Sequence, residues 1–152
     1  MKYDNTAIRF NTNKKYRHLL DQEFKLDLCQ TFAQDSDFNG FVTLTKAGTL
    51  TLSKGYAWDG VSFPILDVDS CKNLRASAIH DALYQLMRNE ALFNRKGFKK
   101  DADRIFRKIC IQDGVSKPIA WIYWIAVRIG GKPGTEPGSK FPNGQSPCKD
   151  HS

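Results

Sequence analysis

Two short motifs contain residue types that perform acid–base chemistry. The first is His80-Asp81-x-x-Tyr84, and the second contains Asp103, 23 residues after the histidine. In a helix His80 and Tyr84, four residues apart, share a face, whereas Asp81 points about a quarter turn away. A carboxylate bonded to an imidazole orients the ring and raises its basicity, as in sites that activate water. The spacing therefore predicts a His80–Asp103 dyad, with Tyr84 donating a hydrogen bond to Asp103.

A stretch rich in turn residues precedes the first motif. Residues 55–64 (Gly-Tyr-Ala-Trp-Asp-Gly-Val-Ser-Phe-Pro) contain two glycines, a proline and an Asp-Gly pair, which predicts a loop. Asp81, on the side of its helix away from His80, is expected to meet Asp59 of this loop. Two carboxylates beside loop carbonyls form an oxygen-only site of the kind that calcium prefers. Asp59 and Asp81 are therefore the predicted calcium ligands.

The N-terminal half must supply the sheet of the fold. Residues 24–29 alternate apolar and polar side chains, and residues 41–45 and 49–53 flank the turn Lys46-Ala-Gly48. Asn39-Gly40 is a further turn signal. Residues 1–20 are polar and mixed and predict no regular element. These patterns indicate a small antiparallel sheet.

Three helices follow and must position the dyad. Apolar residues recur at helical spacing over residues 74–92, 99–112 and 119–129, with breaks at 94–97 and Gly114. If the first two helices pair antiparallel through their stripes, Asp103 reaches His80. The predicted class is α+β, with a globular domain over residues 1–131 and a disordered, Gly/Pro/Ser-rich tail over residues 132–152.

The third helix, within Pro118-Ile-Ala-Trp-Ile-Tyr-Trp-Ile-Ala-Val-Arg, is apolar nearly all round. This favours burial over a place on a membrane surface, although tryptophan and tyrosine suit an interface. Its apolar run, residues 119–127, is far shorter than the roughly 20 residues that span a bilayer. The chain is expected not to be transmembrane, and its N-terminus lacks the apolar segment of a signal peptide.

The net charge of +7 and a pI near 9.3 favour anionic partners such as a phospholipid surface. Specific nucleic-acid binding is not expected, because there is no known motif and no dense Lys/Arg run. Cysteines 29, 71, 110 and 148 lack zinc spacing and are expected to be mostly free thiols. A phosphohydrolase with several metal-binding histidines is disfavoured, since only His18 and His151 remain besides His80.

The stretch Ala78-Ile-His-Asp-Ala-Leu-Tyr84, followed by Asp101-Ala-Asp-Arg-Ile-Phe106, resembles the active-site helices of the phospholipase A2 superfamily. The likeness is greatest to the disulfide-free version in parvovirus minor capsid proteins, and it covers about residues 75–110. It implies a helix pair in which His80 is the general base, Asp103 its partner, Tyr84 a support and Asp81 a calcium ligand. Those enzymes have a glycine-rich calcium loop, whereas this loop contains Asp59 and resembles a bacterial variant whose loop aspartate binds calcium.

The chain as a whole also resembles a family of small proteins of tailed phages and prophages. The matching segments are residues 55–64, 80–84, 102–106 and the aromatic helix at 121–130 with its final V-R-x-x-G. This likeness implies a place in the host cytoplasm during infection or in the virion, and other phage proteins as partners. It implies no activity.

Two functional hypotheses follow from these patterns. The first is a calcium-dependent acyl-ester hydrolase of the phospholipase A2 type, with water activated by His80 and Asp103. The second is a non-catalytic phage virion or accessory protein in which the same helix pair is a structural or interaction module. Hydrolysis that disappears in chelator supports the first, and stable incorporation into virions without hydrolysis supports the second.

Overall fold

Seven short strands form the first part of the described chain. The computed structural model describes residues 2–11, 18–58, 71–89 and 94–130. The strands are β1 (Phe10–Asn11), β2 (His18–Leu20), β3 (Phe24–Asp27), β4 (Ser36–Phe38), β5 (Val42–Leu44), β6 (Thr49–Leu52) and β7 (Ala57–Trp58). They pair into two antiparallel sheets, with the orders β1-β2-β7 and β3-β6-β5-β4.

The four-stranded sheet has one apolar face, as the alternation in the sequence predicts. Leu50 on β6 lies opposite Leu26 on β3 and Leu44 on β5. All three side chains are buried, whereas the residues between them face outward or lie at the surface. A two-residue period places alternate side chains on opposite faces, so this register buries one complete apolar set.

The predicted turn between β5 and β6 is confirmed. The N–H of Gly48 donates to the carbonyl of Thr45, and the N–H of Thr45 donates to the carbonyl of Thr49. Gly48 has a φ of 98°, and a Cβ at this position would lie 2.0 Å from the carbonyl oxygen of Gln30. Only glycine fits this backbone conformation and this close approach.

The predictions for residues 1–20 and 55–64 are wrong in part. Ala57 and Trp58 belong to β7 rather than to a loop, and β2 falls in a region for which no element was predicted. The two strands pair through His18 with Trp58 and Leu19 with Ala57. Strand β7 has only two residues and depends on its pairing with β2, where His18 lies 40 residues before Trp58. So short a strand has no periodic pattern in the sequence that could predict it. The rest of the loop, residues 59–64, lies outside the described residues.

Three helices complete the fold: α1 (Cys71–Asn89), α2 (Arg95–Gln112) and α3 (Lys117–Gly130). With the two sheets they confirm the α+β class. The start of α2 differs from the predicted Lys99, because the side chain of Asn94 accepts a hydrogen bond from the N–H of Gly97 and caps the helix. A Cβ on Gly97 would lie 2.5 Å from Nδ2 of Asn94, so the glycine accommodates the cap instead of breaking the helix.

The first two helices form the predicted antiparallel pair. Near the start of α1, Arg75 makes a bidentate ion pair with Asp113, just past the end of α2, at 2.9 and 2.6 Å. Near the other end, Arg95 at the start of α2 donates to the carbonyl of Met87. These contacts join opposite ends of the two helices and bring the middle of α1 to the middle of α2.

Burial differs between the helices. In α1 nearly every side chain from Asn73 to Arg88 is buried, with Asp81 only partly so, instead of the single predicted stripe. The expectation that the apolar helix α3 is buried is wrong in part, because only Ala120, Tyr123 and Val127 are buried there. Within the described residues, no helix is long and apolar enough to cross a membrane.

The described chain divides into two compact units, one containing the sheets up to Trp58 and the other containing the three helices. The prediction of one domain over residues 1–131 stays a prediction, and the predicted tail lies outside the described residues. Cys29 and Cys110 are free thiols, as expected. Burial raises the pKa of the Cys110 thiol to about 12, so it is protonated at neutral pH.

Candidate active site

The centre of the site is a hydrogen bond between α1 and α2. Nε2 of His80 lies 2.9 Å from Oδ1 of Asp103, which confirms the predicted contact between these side chains. Asp103 is completely buried, and His80 is 6% exposed. Because the helices are antiparallel, the histidine in the middle of α1 faces the aspartate in the middle of α2.

Tyr84 makes the second predicted contact. One turn after His80, its hydroxyl donates a hydrogen bond of 2.5 Å to the same Oδ1 atom. The rings of His80 and Tyr84 lie 4.0 Å apart, and the ring of Phe106 from α2 lies 5.0 Å from the imidazole. Aromatic rings on two sides and a bonded nitrogen fix the orientation of the imidazole plane.

Two cations that the sequence-based hypothesis did not include bind the other carboxylate oxygen. Nζ of Lys99 lies 2.9 Å from Oδ2 of Asp103, and Nη1 of Arg128 lies 3.0 Å from it. Asp103 thus accepts four hydrogen bonds, two on each oxygen. The donors come from all three helices.

Lys99 also donates hydrogen bonds to backbone carbonyls at the end of α3. Its ammonium group donates to the carbonyl of Val127 at 3.2 Å and to that of Arg128 at 3.4 Å. These carbonyls belong to the last turn of α3, whose carbonyls have no N–H partner within the helix itself. A positive charge there also interacts favourably with the negative end of the helix dipole.

These contacts fix the ionisation of Asp103. Burial alone would raise its pKa, but the hydrogen bonds from His80, Tyr84 and Lys99 outweigh burial and hold the pKa at about 2. Asp103 is therefore a carboxylate at neutral pH. Burial raises the pKa of Tyr84, and the charge of Asp103 raises it further, so the tyrosine keeps its proton and donates it in the hydrogen bond.

His80 is neutral at physiological pH, because burial affects its pKa more than the neighbouring carboxylate does. Burial lowers its pKa below the ordinary value of 6.5, although the hydrogen bond and the charge of Asp103 oppose this shift. A neutral imidazole beside a carboxylate carries its proton on the nitrogen that faces the acceptor. Nε2 therefore holds the proton, and Nδ1 carries the lone pair.

Of the two predicted calcium ligands, Asp81 lies within the described residues and the pairing with Asp59 stays a prediction. Asp81 follows His80 on α1 and is partly buried. Its negative charge raises the pKa of Tyr84, but less than burial and Asp103 do. Asp59 lies outside the described residues. In the part of the chain that is described, no group of three or more His, Cys, Asp or Glu residues could hold a metal ion.

The sequence contained signals for both missed cations. Lys99 precedes Asp103 by four residues, the spacing at which a lysine and a carboxylate pair along one helix. Arg128 belongs to the V-R-x-x-G segment that ends α3, but its partner is 25 residues away on another helix. Only the packing of α3 against α2 makes that pair.

The comparisons with known proteins place this helix cluster in a family. The model of a family described as "Protein of unknown function (DUF1353)" matches residues 38–127. The match covers more than half of the 152 residues and includes His80, Tyr84, Lys99 and Asp103. Neither the curated proteins nor the solved structures contain a match to the chain. The chain belongs to the DUF1353 family.

Proposed function

We propose that the protein is an acyl-ester hydrolase in which His80 activates water. The observation that carries the proposal is the 2.9 Å contact between Nε2 of His80 and the ionised, completely buried Asp103. It orients a neutral imidazole with the Nδ1 lone pair directed away from the carboxylate. A base of this kind is ready to accept a proton at neutral pH.

In the proposed reaction Nδ1 takes a proton from water while the water oxygen forms a bond to the ester carbonyl carbon. The imidazolium that results is stabilised by Asp103, since the charge of the pair changes from −1 to 0. The imidazolium then gives its proton to the alkoxide when the carbon–oxygen bond of the ester breaks. The products are a carboxylic acid and an alcohol, and His80 returns to its neutral form.

Calcium is the proposed cofactor, with Asp81 and Asp59 as its ligands. When bound, it would supply positive charge for the oxygen that becomes negative in the tetrahedral intermediate. The resemblance of residues 75–110 to the phospholipase A2 superfamily supports this choice and makes a phospholipid acyl ester the first substrate to test. The resemblance to tailed-phage proteins supports action in the host cell during infection.

The test is release of fatty acid from phosphatidylglycerol by the full chain, with calcium and with chelator. We expect release by the wild type only with calcium and none by His80→Gln. The matched control is Asp101→Asn, because Asp101 is also a carboxylate on α2 but pairs at the surface with Arg104. Thermal melts must show that each variant is folded. A folded wild type without hydrolysis in calcium, or full activity in folded His80→Gln, would contradict the proposal.

One observation favours a second function, that of a non-catalytic phage virion or accessory module. Asp103 accepts hydrogen bonds from His80, Tyr84, Lys99 and Arg128, and so joins three helices through one buried carboxylate. Such a network stabilises a helix cluster without any reaction. Mass spectrometry of purified particles that contain the protein, combined with the absence of hydrolysis, would favour this function.

A further inference from the structure

The large hydrophobic side chains that remain exposed in the described chain all belong to α3. They are Ile119, Trp121, Ile122 and Ile129, with exposed fractions of 45%, 50%, 48% and 75%. We call these four residues the outer face of α3. The opposite side of the helix buries Ala120, Tyr123 and Val127. An apolar surface of several large side chains on one helix is a mark of an interaction site.

A row of cations runs along the neighbouring helix. Lys96, Lys100, Arg104 and Lys108 follow one another at intervals of four residues on α2, and all four are exposed. We call them the basic row. Residues four apart share one face of a helix, so these side chains project from the same side of α2. Of these four residues, Arg104 pairs with Asp101 three residues earlier, and that pair is exposed to solvent.

A contact between α2 and α3 lies beside the two surfaces. The guanidinium carbon of Arg107 on α2 lies 6.0 Å from the ring centroid of Trp124 on α3. Arg104 is one turn before Arg107, and Trp121 is one turn before Trp124, so each neighbour lies on the same side of its helix as the contact. The basic row and the outer face of α3 therefore belong to two helices that pack side by side in the helical unit.

We propose that these two surfaces dock the helical unit onto the anionic leaflet of a phospholipid bilayer. Tryptophan and isoleucine of the outer face would enter the boundary between headgroups and acyl chains, with α3 lying in the plane of the membrane. The basic row would contact lipid phosphates beside it. A second copy of the chain is a poorer occupant, because a symmetric contact would bring two basic rows together.

This inference does not depend on hydrolysis. It rests on exposed residues of α2 and α3 and would hold for a non-catalytic protein. Binding is therefore measured without turnover, and His80→Gln is expected to bind vesicles as the wild type does. A wild type that binds vesicles without hydrolysing lipid contradicts only the proposed function, and one that hydrolyses lipid without binding vesicles contradicts only the docking proposal.

The experiment is co-sedimentation of the full chain with vesicles of phosphatidylcholine and phosphatidylglycerol in equal parts. The double variants Trp121→Ser/Ile122→Ser and Lys100→Glu/Arg104→Glu are each expected to weaken binding at least about tenfold, through lost apolar burial and lost attraction respectively. The control Lys46→Glu/Lys54→Glu makes the same charge change at two exposed lysines of the first unit and is expected to bind like the wild type. The six side chains substituted in these three double variants are all exposed, so the fold is expected to persist.

Charge selectivity and solution state complete the test. Binding should fall in pure phosphatidylcholine vesicles and at high salt, because the attraction between the basic row and the phosphates is screened. Unchanged binding by Trp121→Ser/Ile122→Ser would overturn the proposal. So would a dimer in sedimentation equilibrium that this variant dissociates, since the outer face would then be occupied by a second copy.

Discussion

Nζ of Lys99 lies 2.9 Å from Oδ2 of Asp103, in a cluster where the carboxylate has no exposed surface at all. Taking a carboxylate and an ammonium group out of water costs several kcal/mol for each ion, and their attraction offsets this cost only with good geometry. Here Lys99 also reaches two backbone carbonyls of α3. The pair therefore links α2 to the end of α3 and determines how a substitution of either residue acts.

Asp103→Asn tests the charge of this cluster. The amide is nearly isosteric but leaves Lys99 buried without a counter-charge, so we expect a loss of about 3–5 kcal/mol in the free energy of unfolding. Chemical denaturation measures the change. The control Asp101→Asn removes a carboxylate from an exposed pair on the same helix and should change stability by less than about 1 kcal/mol. A loss in Asp103→Asn as small as the one expected for the control would show that the charge of Asp103 does not stabilise the cluster.

Lys99→Met tests the link from α2 to α3. Methionine keeps the apolar part of the side chain but leaves the carbonyl of Val127 without this donor and reduces the charge around Asp103. We expect a loss of about 1–3 kcal/mol in stability. Lys100→Met, at the next and exposed position, is the matched control and should be close to neutral. A neutral Lys99→Met would mean that Arg128 alone satisfies Oδ2.

Tyr84→Phe removes one donor and preserves the ring. Because the lost hydrogen bond ends on a charged acceptor, we expect a stability loss of about 1.5–3 kcal/mol. A double-mutant cycle with Asp103→Asn separates this bond from the packing of the ring against His80. The loss should shrink in the Asp103→Asn background. If it does not, the hydroxyl stabilises the fold through another partner, such as the carbonyl of Val127 at 3.4 Å.

The helix pair was predictable because each helix has an apolar stripe that can be recognised within a short stretch of sequence. The apolar stripes gave the two helices, and the offset of 23 residues placed Asp103 opposite His80 once the helices turned back on each other. The contact of Lys99 could have been predicted in the same way, since Lys99 lies four residues before Asp103 on the same helix. Arg128 was not, because its contact depends on how α3 packs against α2.

The errors in the fold have different causes. Ala57 and Trp58 form a strand only because β2 pairs with them, and the intervening sequence carries no sign of that pairing. Asn94 and Gly97 were interpreted as a break, yet together they form the cap that begins α2. In α3 the composition is apolar on every side, so the sequence does not distinguish the buried side from the exposed outer face.

His80 should make stability depend on pH in a defined window. Its pKa is lowered in the folded protein, whereas the unfolded value is near 6.5. The unfolded chain therefore binds a proton first as the pH falls, so stability is full above about pH 6.5 and decreases below it. Asp103, with a pKa of about 2, adds its loss only as the pH falls from about 4 toward 2. Denaturation of His80→Gln should lack the first decrease and keep the second.

Calcium binding provides the test that separates the two functional hypotheses. Two carboxylates brought together without a cation repel each other, whereas a cation bound only to the folded state stabilises it by mass action. If Asp81 and Asp59 are ligands, calcium should raise the melting temperature of the wild type in proportion to the logarithm of its concentration. At about one hundred times the dissociation constant the gain is about 2.7 kcal/mol.

Asp81→Asn should abolish this shift and leave the protein folded without calcium, because Asp81 is only partly buried on α1. Asp59→Asn should weaken the shift in the same way, since calcium requires several oxygen ligands and a neutral amide is a poorer one than a carboxylate. His80→Gln should keep it, because the histidine hydrogen-bonds to Asp103 and is not a predicted ligand. A wild type whose melting temperature does not respond to calcium would remove the cofactor from the proposed reaction. The helix cluster would then be better explained as the structural module that Asp103 holds together.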